Sequence, residues 1–281
     1  MRDKTIGIIA LLNRRFPTSD WVATLQRGDE REILDGSLRA AEVVLGQFSP
    51  FNDLAQKTVV DLGCGSAGKS LYYATRHASE VIGVDVSIET SGAALREAKA
   101  RGLNLRVMQV ADGAPLPLGD ESIDVVIAST VLEHIYDLDF SLRDVHRVLK
   151  PGGFFLNRWH PFRTRFGSHL HHMIGIPFAH LIFDERSLIR FYHAELLAQF
   201  GEVPPAFAGV VENAPLNDIM HLNRVTIADA SRKFQAAGFR SMARRYFRGT
   251  TELKWALRLP VALRSFVCDY EVNILQKAKP T

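Results

Sequence analysis

Between Val59 and Ser70 the chain reads VVDLGCGSAGKS, and no other stretch narrows its possible folds as far. Two valines lead into Asp61 and Leu62, and Gly63, Gly65 and Gly68 follow within six positions. A short β-branched run that stops at clustered glycines reads as a buried strand, a turn and the start of a helix. Glycine serves at such a turn because the backbone takes positive φ, or because a ligand lies too close for a Cβ. The helix N-terminus behind the turn offers N–H groups without helical partners and a partial positive charge. An anionic or strongly polar cofactor belongs there.

Two motifs fit the stretch. Gly63-x-x-x-x-Gly68-Lys69-Ser70 satisfies the phosphate-cradling loop of nucleoside triphosphatases. A triphosphatase also needs a strand that ends in a magnesium-binding Asp. The candidate, Ile123 to Ser129, has its Asp at the start and Ser at the end. Val81-Ile82-Gly83-Val84-Asp85, by contrast, is a second short apolar strand ending in an acid, twenty positions after Gly65. That is the spacing at which a carboxylate on the next strand tip grips a ribose diol. The triphosphatase reading is set aside. Asp61-x-Gly63-x-Gly65-x-x-Gly68 instead resembles the first motif of class I S-adenosylmethionine (SAM) dependent methyltransferases.

From Lys57 onward strands and helices alternate, the signature of a parallel sheet covered on both faces. Strands are expected to end at Leu62 and to run over Val81–Asp85, Leu105–Val110, Ile123–Ala128 and Phe154–Asn157, with Pro151-Gly152-Gly153 stopping the helix before the last. In this region ADGAPLPLGDESIDVVIASTVLEHIYDLDFSLRDVHRVLKPGGFFL is similar to the second half of the same family's core, of the type that acts on small molecules. Ala111-Asp112, Leu116-Pro117-Leu118, Val131-Leu132-Glu133-His134 and Leu149-Lys150-Pro151-Gly152-Gly153 match in order. The resemblance implies an α/β fold with a doubly wound, mostly parallel seven-stranded sheet. Its divisions are a helical N-terminal cap (1–56), a SAM-binding core (57–158), a substrate-binding insertion after strand five (159–222) and a C-terminal completion of the sheet (223–281). In the cap, Asp29–Phe48 has helical spacing, and Trp21 and Phe51 are candidates to close on the ligand, though core packing is the commoner role. Later, Thr226 is a candidate N-cap, strands are expected near Ser241–Phe247 and Tyr270–Lys277, and Glu252–Phe266 is a candidate helical lid or oligomer contact.

Carried over by resemblance, Asp61, Gly63 and Gly65 hold the amino-acid end of SAM. Asp85 accepts the ribose hydroxyls, Asp112 accepts from the adenine amino group beside Gly113, and Val86 and Ala111 flank the ring. Ser129 lies where the methyl group faces the substrate. The remaining chemistry is read from the insertion, which is rich in His, Arg and aromatics. Methyl transfer to a hydroxyl needs a proton acceptor, a role suited to histidine near neutral pH. His160, His169 and His172 are the candidates, with His169 favoured because Gly167-Ser168 places it on a turn, while His134 reads as structural. Arg158, Arg163 and Arg165 are candidates to hold an acidic group on the substrate. His169, His171, His172 and His180 are dense, but no regular zinc spacing or H-E-x-x-H is present, so no metal is expected.

The acceptor is expected to be a hydroxylated small molecule, sugar or natural product. An N-methyltransferase of a small amine and a non-catalytic SAM-binding regulator are the alternatives. Strand four lacks the Asn/Asp-Pro-Pro-Tyr of enzymes that methylate base amino groups, and net charge is only +3, so a nucleic-acid partner is not indicated. Seven Lys and Arg against Glu252 alone between Arg240 and Arg264 read first as a solvated basic face. Two cysteines suit a reducing cytoplasm, no span or signal peptide is apparent, and a homodimer is possible.

Overall fold

The computed structural model describes residues 4–18, 30–204, 207, 215–216 and 221–279. The alternating core comprises β1 (Thr58–Leu62), β2 (Glu80–Asp85), β3 (Leu105–Gln109), β4 (Ile123–Ser129) and β5 (Leu149–Trp159). β6 (Phe239–Arg248), the two-residue β7 (Thr251–Glu252) and β8 (Tyr270–Lys277) follow the insertion. All lie in one sheet of order β3-β2-β1-β4-β5-β8-β6-β7. Neighbours from β3 to β5 are parallel, and β8 runs antiparallel between β5 and β6. The sheet is the expected one with an eighth strand added. Gly249, at φ 55°, turns the chain back so that β7 pairs with the end of β6.

The chain passes from β1 outward to β3, then returns to β4 on the other side of β1. Connections diverge at the carboxyl ends of β1 and β4, which is where such sheets leave a ligand crevice. Both faces are covered. The longer helices are, in chain order, α1 (Lys4–Asn13), α2 (Glu30–Gln47), α3 (Gly68–Ala74), α4 (Gly92–Ala100), α5 (Leu138–Val148), α6 (Glu185–Phe200) and α7 (Ile227–Ala236). Val60 packs in a cluster with Leu142 and Val145 of α5, while its neighbour Val59 packs in another with Val44 of α2 and Tyr73 of α3. Thr226 caps α7 in a reciprocal capping box with Asp229, as its hydroxyl and position predict.

The N-terminal segment divides between two tasks. α2 lies on α3 so closely that a Cβ on Gly68 would stand 2.4 Å from Ser37 Cβ. α1 packs instead with the insertion, where Ile9, Leu170, Ile174, Leu188, Tyr192 and Leu196 form a separate apolar cluster. The insertion thus carries a helix, α6, that the sequence reading did not anticipate. Trp21 lies outside the described residues, and Phe51 packs on Phe154 at 5.2 Å between ring centroids. Glu252–Phe266 forms two short helical turns, Lys254–Arg258 and Val261–Arg264. No helix among the described residues is long and apolar enough to cross a membrane.

Two local readings are corrected. Pro151-Gly152-Gly153 does not follow a helix and precede a strand; it is a bulge inside β5. Leu149 already pairs with Ile123 and Phe154 with Val125, so the residues between them loop out, with Gly152 at φ 84°. The basic run is also not simply a solvated face. Arg244 Nε lies 3.2 Å from the Glu271 carboxylate, and Arg264 Nη1 donates to Tyr246 Oη at 2.9 Å.

Glu271 is fully buried and accepts from Trp159 Nε1 (3.0 Å) and Asn273 Nδ2 (3.2 Å). Glu271→Ala strands those donors and the Arg244 guanidinium. We expect it to destabilise the fold by about 3 kcal/mol in urea unfolding, and a loss below about 0.5 kcal/mol would contradict this.

Candidate active site

The glycine turn is fastened to β2 from below. Gly63 and Cys64 N–H both donate to Val84 O, at 2.7 and 3.1 Å. Gly65 N–H donates to Asp85 Oδ2 at 2.7 Å, and Ser87 N–H to Asp85 Oδ1 at 3.0 Å. Gly63 sits at φ 70°, and a Cβ there would stand 2.2 Å from Val131 Cγ2, so glycine is required on both counts. Ser70, the serine of the phosphate-loop pattern, is fully buried and donates to Asp61 Oδ2 at 2.6 Å. That hydroxyl faces Asp61 in the interior, which argues against a phosphate-bound magnesium role.

Beyond the turn, at the carboxyl ends of the strands, lies a cavity of about 470 Å³. Gly63, Asp85, Val86, Ala111, Asp112 and Gly113 all line it, six of the residues chosen from sequence. Two carboxylates at the tips of β2 and β3 therefore meet an apolar slot between Val86, Ala111 and Leu116. Gly65, at φ 52°, has nothing within 4 Å of where a Cβ would be. Asp61 lies beneath the turn, fully buried, and Ser129 is buried at the end of β4. Its neighbour Thr130, held at φ 61° with its N–H on Arg158 O, lines the cavity instead. A β-branched residue in the left-handed region is strained, a condition common at functional sites.

Past Thr130 a single helical turn, Leu132–His134, brings His134 into the cavity wall. The junction of the insertion with the C-terminal segment secures it: Asn223 Nδ2 donates to Leu132 O (2.6 Å) and Ile135 O (2.8 Å), and His134 Nδ1 bonds His221 O at 3.2 Å. Behind His134 stand the insertion histidines. His134 and His169 rings lie 4.9 Å apart, and His160 and His169 rings 5.6 Å. His172 is one step further, its ring tilted against that of His171 with centroids 4.3 Å apart. His160, His169 and His172 are not among the residues lining the cavity; the sequence favoured them and passed over His134, which does line it. Glu133 lies among them, 2% exposed, with Oε1 3.8 Å from His169 Nε2 and 3.3 Å from His160 N. Burial pushes the Glu133 carboxyl up to about 8 and both His160 and His172 down to about 3, with His169 also held well below its ordinary value.

Residues 60–157 match the family model described as a methyltransferase domain. That stretch is a methyltransferase domain. It holds the glycine turn, Asp85, Asp112 and His134. A norajmaline N-methyltransferase of Rauvolfia serpentina is 30% identical over 54% of this chain and 57% of its own length. A demethylmenaquinone methyltransferase of Thermus thermophilus is 34% identical over 35% of this chain and 45% of its own. The chain thus spans about half the length of these curated relatives. A crystal structure of a SAM-dependent methyltransferase from Mesorhizobium loti shares the fold with a TM-score of 0.53, at 21% identity over 86% of this chain and 99% of that one.

The fold around this domain is the one seen in solved SAM-dependent methyltransferases, and SAM is the cofactor that the sequence resemblance implies. The cavity fits that molecule: a carboxylate suited to a ribose diol, an apolar slot for a flat ring, a second carboxylate at its edge, and an open glycine turn. Asp61 Oδ1 is buried with no hydrogen-bond partner among the described residues, which suits a positive group above it.

Asp61 also carries a stability cost. Burial raises its carboxyl from 3.8 to about 6. A raised carboxyl costs nothing below the unfolded value and destabilises progressively as pH climbs from about 4 to 6, on the order of 3 kcal/mol thereafter. Asp61→Asn is therefore expected to raise the melting temperature relative to the parent at pH 7.5 but not at pH 4, while weakening SAM binding. Equal melting temperatures at pH 7.5 would refute this.

Proposed function

We propose that the chain transfers the methyl group of SAM to a hydroxyl of a small molecule, a sugar or a natural product, in the cytoplasm. SAM supplies the electrophilic methyl group. Asp85, Asp112 and the glycine turn bind and orient it, and Val86 and Ala111 flank the adenine. A histidine of the group His160, His169 and His172 accepts the hydroxyl proton. The observation that carries this reading is the gathering of His160 and His169 around Glu133, directly behind the His134 ring that lines the cavity. A hydroxyl needs such an acceptor, whereas a neutral amine does not.

The arginines near the site have taken other work. Arg158 lies over the Tyr270 ring at 3.9 Å, and Arg165 pairs with Asp269 at 2.9 Å. Arg163 is exposed and is the one we assign to an acidic group on the acceptor.

One relative named above is an N-methyltransferase, which favours amine methylation as the second reading. Incubation with methyl-labelled SAM and two acceptor panels, hydroxylated sugars and phenols against small amines, separates the readings. Label in the hydroxylated panel supports ours; label only in amines would overturn it, and cofactor binding with label in neither would indicate a regulator.

A further inference from the structure

We propose that Glu133, His134 and His169 form a binding site for a divalent first-row transition-metal ion at the edge of the cofactor cavity. Each offers one ligand atom, and the three atoms lie within 4.8 Å of one another. Ligands about 2.0–2.1 Å from one ion stand about 3.3 Å apart in a tetrahedral site, so the three atoms must draw together, the widest pair by up to about 1.5 Å. Rotation of the two imidazoles and the carboxylate is the movement required. The Glu133–His169 pair, at 3.8 Å, has the least to close.

Three further observations point to a ligand. Glu133 Oε2 is buried and has no hydrogen-bond partner among the described residues, an expensive arrangement for a carboxyl that the fold does not otherwise explain. His134 Nδ1 bonds the His221 carbonyl, the outer contact by which metal-bound imidazoles are usually oriented. His169 is held at φ 57°, a strained left-handed conformation, with its Nε2 3.8 Å from Glu133 Oε1.

Two imidazoles and one carboxylate select ions such as Zn²⁺, Fe²⁺ or Co²⁺ over Mg²⁺ and Ca²⁺, which prefer oxygen. Three protein ligands leave positions open, as catalytic sites do and closed structural sites do not. His134 lines the cavity, so those positions border the acceptor's space. An acceptor oxygen on the ion loses its proton more readily. The proton leaves to solvent through the open cavity, and no electron changes hands. The inference rests on the hydroxyl reading for the use of the ion, and not for its binding.

The test is titration of the full chain, stripped with EDTA, with Co²⁺ followed by visible absorption and with Zn²⁺ by calorimetry. One equivalent is expected, with d–d bands of a low-coordinate cobalt site. His169→Ala and Glu133→Gln should each abolish the bands and cost about 100-fold or more in Zn²⁺ affinity, since even outer-shell partners are worth 10–100-fold. His193→Ala, a histidine of α6 outside the cluster, should change neither. Binding of S-adenosylhomocysteine certifies that each variant is folded, and if one variant fails that check the other carries the test. No cobalt bands in the parent, or bands that persist in the folded variants, would overturn the proposal while leaving methyl transfer standing. Amine-only labelling with the bands intact would overturn the hydroxyl reading instead.

Discussion

Asp85→Ala is expected to weaken S-adenosylhomocysteine binding by about 30- to 800-fold, corresponding to about 2–4 kcal/mol. The carboxylate already holds the glycine turn, taking Gly65 N–H on Oδ2 and Ser87 N–H on Oδ1. Each oxygen has a second lone pair, and these are what a ribose diol would use. Alanine removes both kinds of contact together: the turn loses its anchor and the diol loses its acceptors. Asp85→Asn keeps one carbonyl oxygen and replaces the other with a donor that opposes an N–H, so it should fall between alanine and the parent. Isothermal titration of a variant whose melting temperature is within a few degrees of the parent checks this. An unchanged dissociation constant would remove Asp85 from the cofactor site.

His169→Ala is expected to lower kcat by about 10²- to 10⁴-fold, the range in which a proton acceptor contributes. Cofactor affinity should stay within about threefold of the parent, because the affected ring lies behind His134 and not along the Asp85–Asp112 wall. His169 occupies a left-handed backbone position, which asparagine tolerates better than alanine. His169→Asn therefore separates loss of the imidazole from backbone strain, and it should be as inactive as alanine. A kcat within threefold of the parent in both variants would exclude His169 from the chemistry, whether as base or as ligand.

That Gly63, Asp85 and Asp112 would meet around one cavity was legible in sequence for a definite reason. Each follows directly on a parallel strand or its closing loop, so strand periodicity alone carries them to one end of the sheet. The histidine cluster behind His134 was not legible in that way. Glu133 and His134 follow β4, and His160 and His169 come from beyond β5; only the sheet order makes the two segments neighbours. His134 was read as structural because it belongs to the family pattern after strand four; it does tie that loop to His221, and it also lines the cavity. Spacing rules for metal sites detect ligands that share one local element, so they carry no information on the grouping of Glu133 and His134 with His169. α6 was missed because its apolar residues face the insertion's own cluster and α1, with Leu188, Tyr192 and Leu196 mixed among charged neighbours. The bulge in β5 was misread because Pro-Gly-Gly has one composition in a helix stop and in a looped-out strand.

Calorimetric titration of the purified chain with S-adenosylhomocysteine, in parallel with ATP and magnesium, decides what the glycine turn binds. One equivalent of the homocysteine compound is expected to bind, with no heat from MgATP, because Ser70 is buried on Asp61. Saturable binding of MgATP without binding of S-adenosylhomocysteine would contradict that expectation at the glycine turn itself.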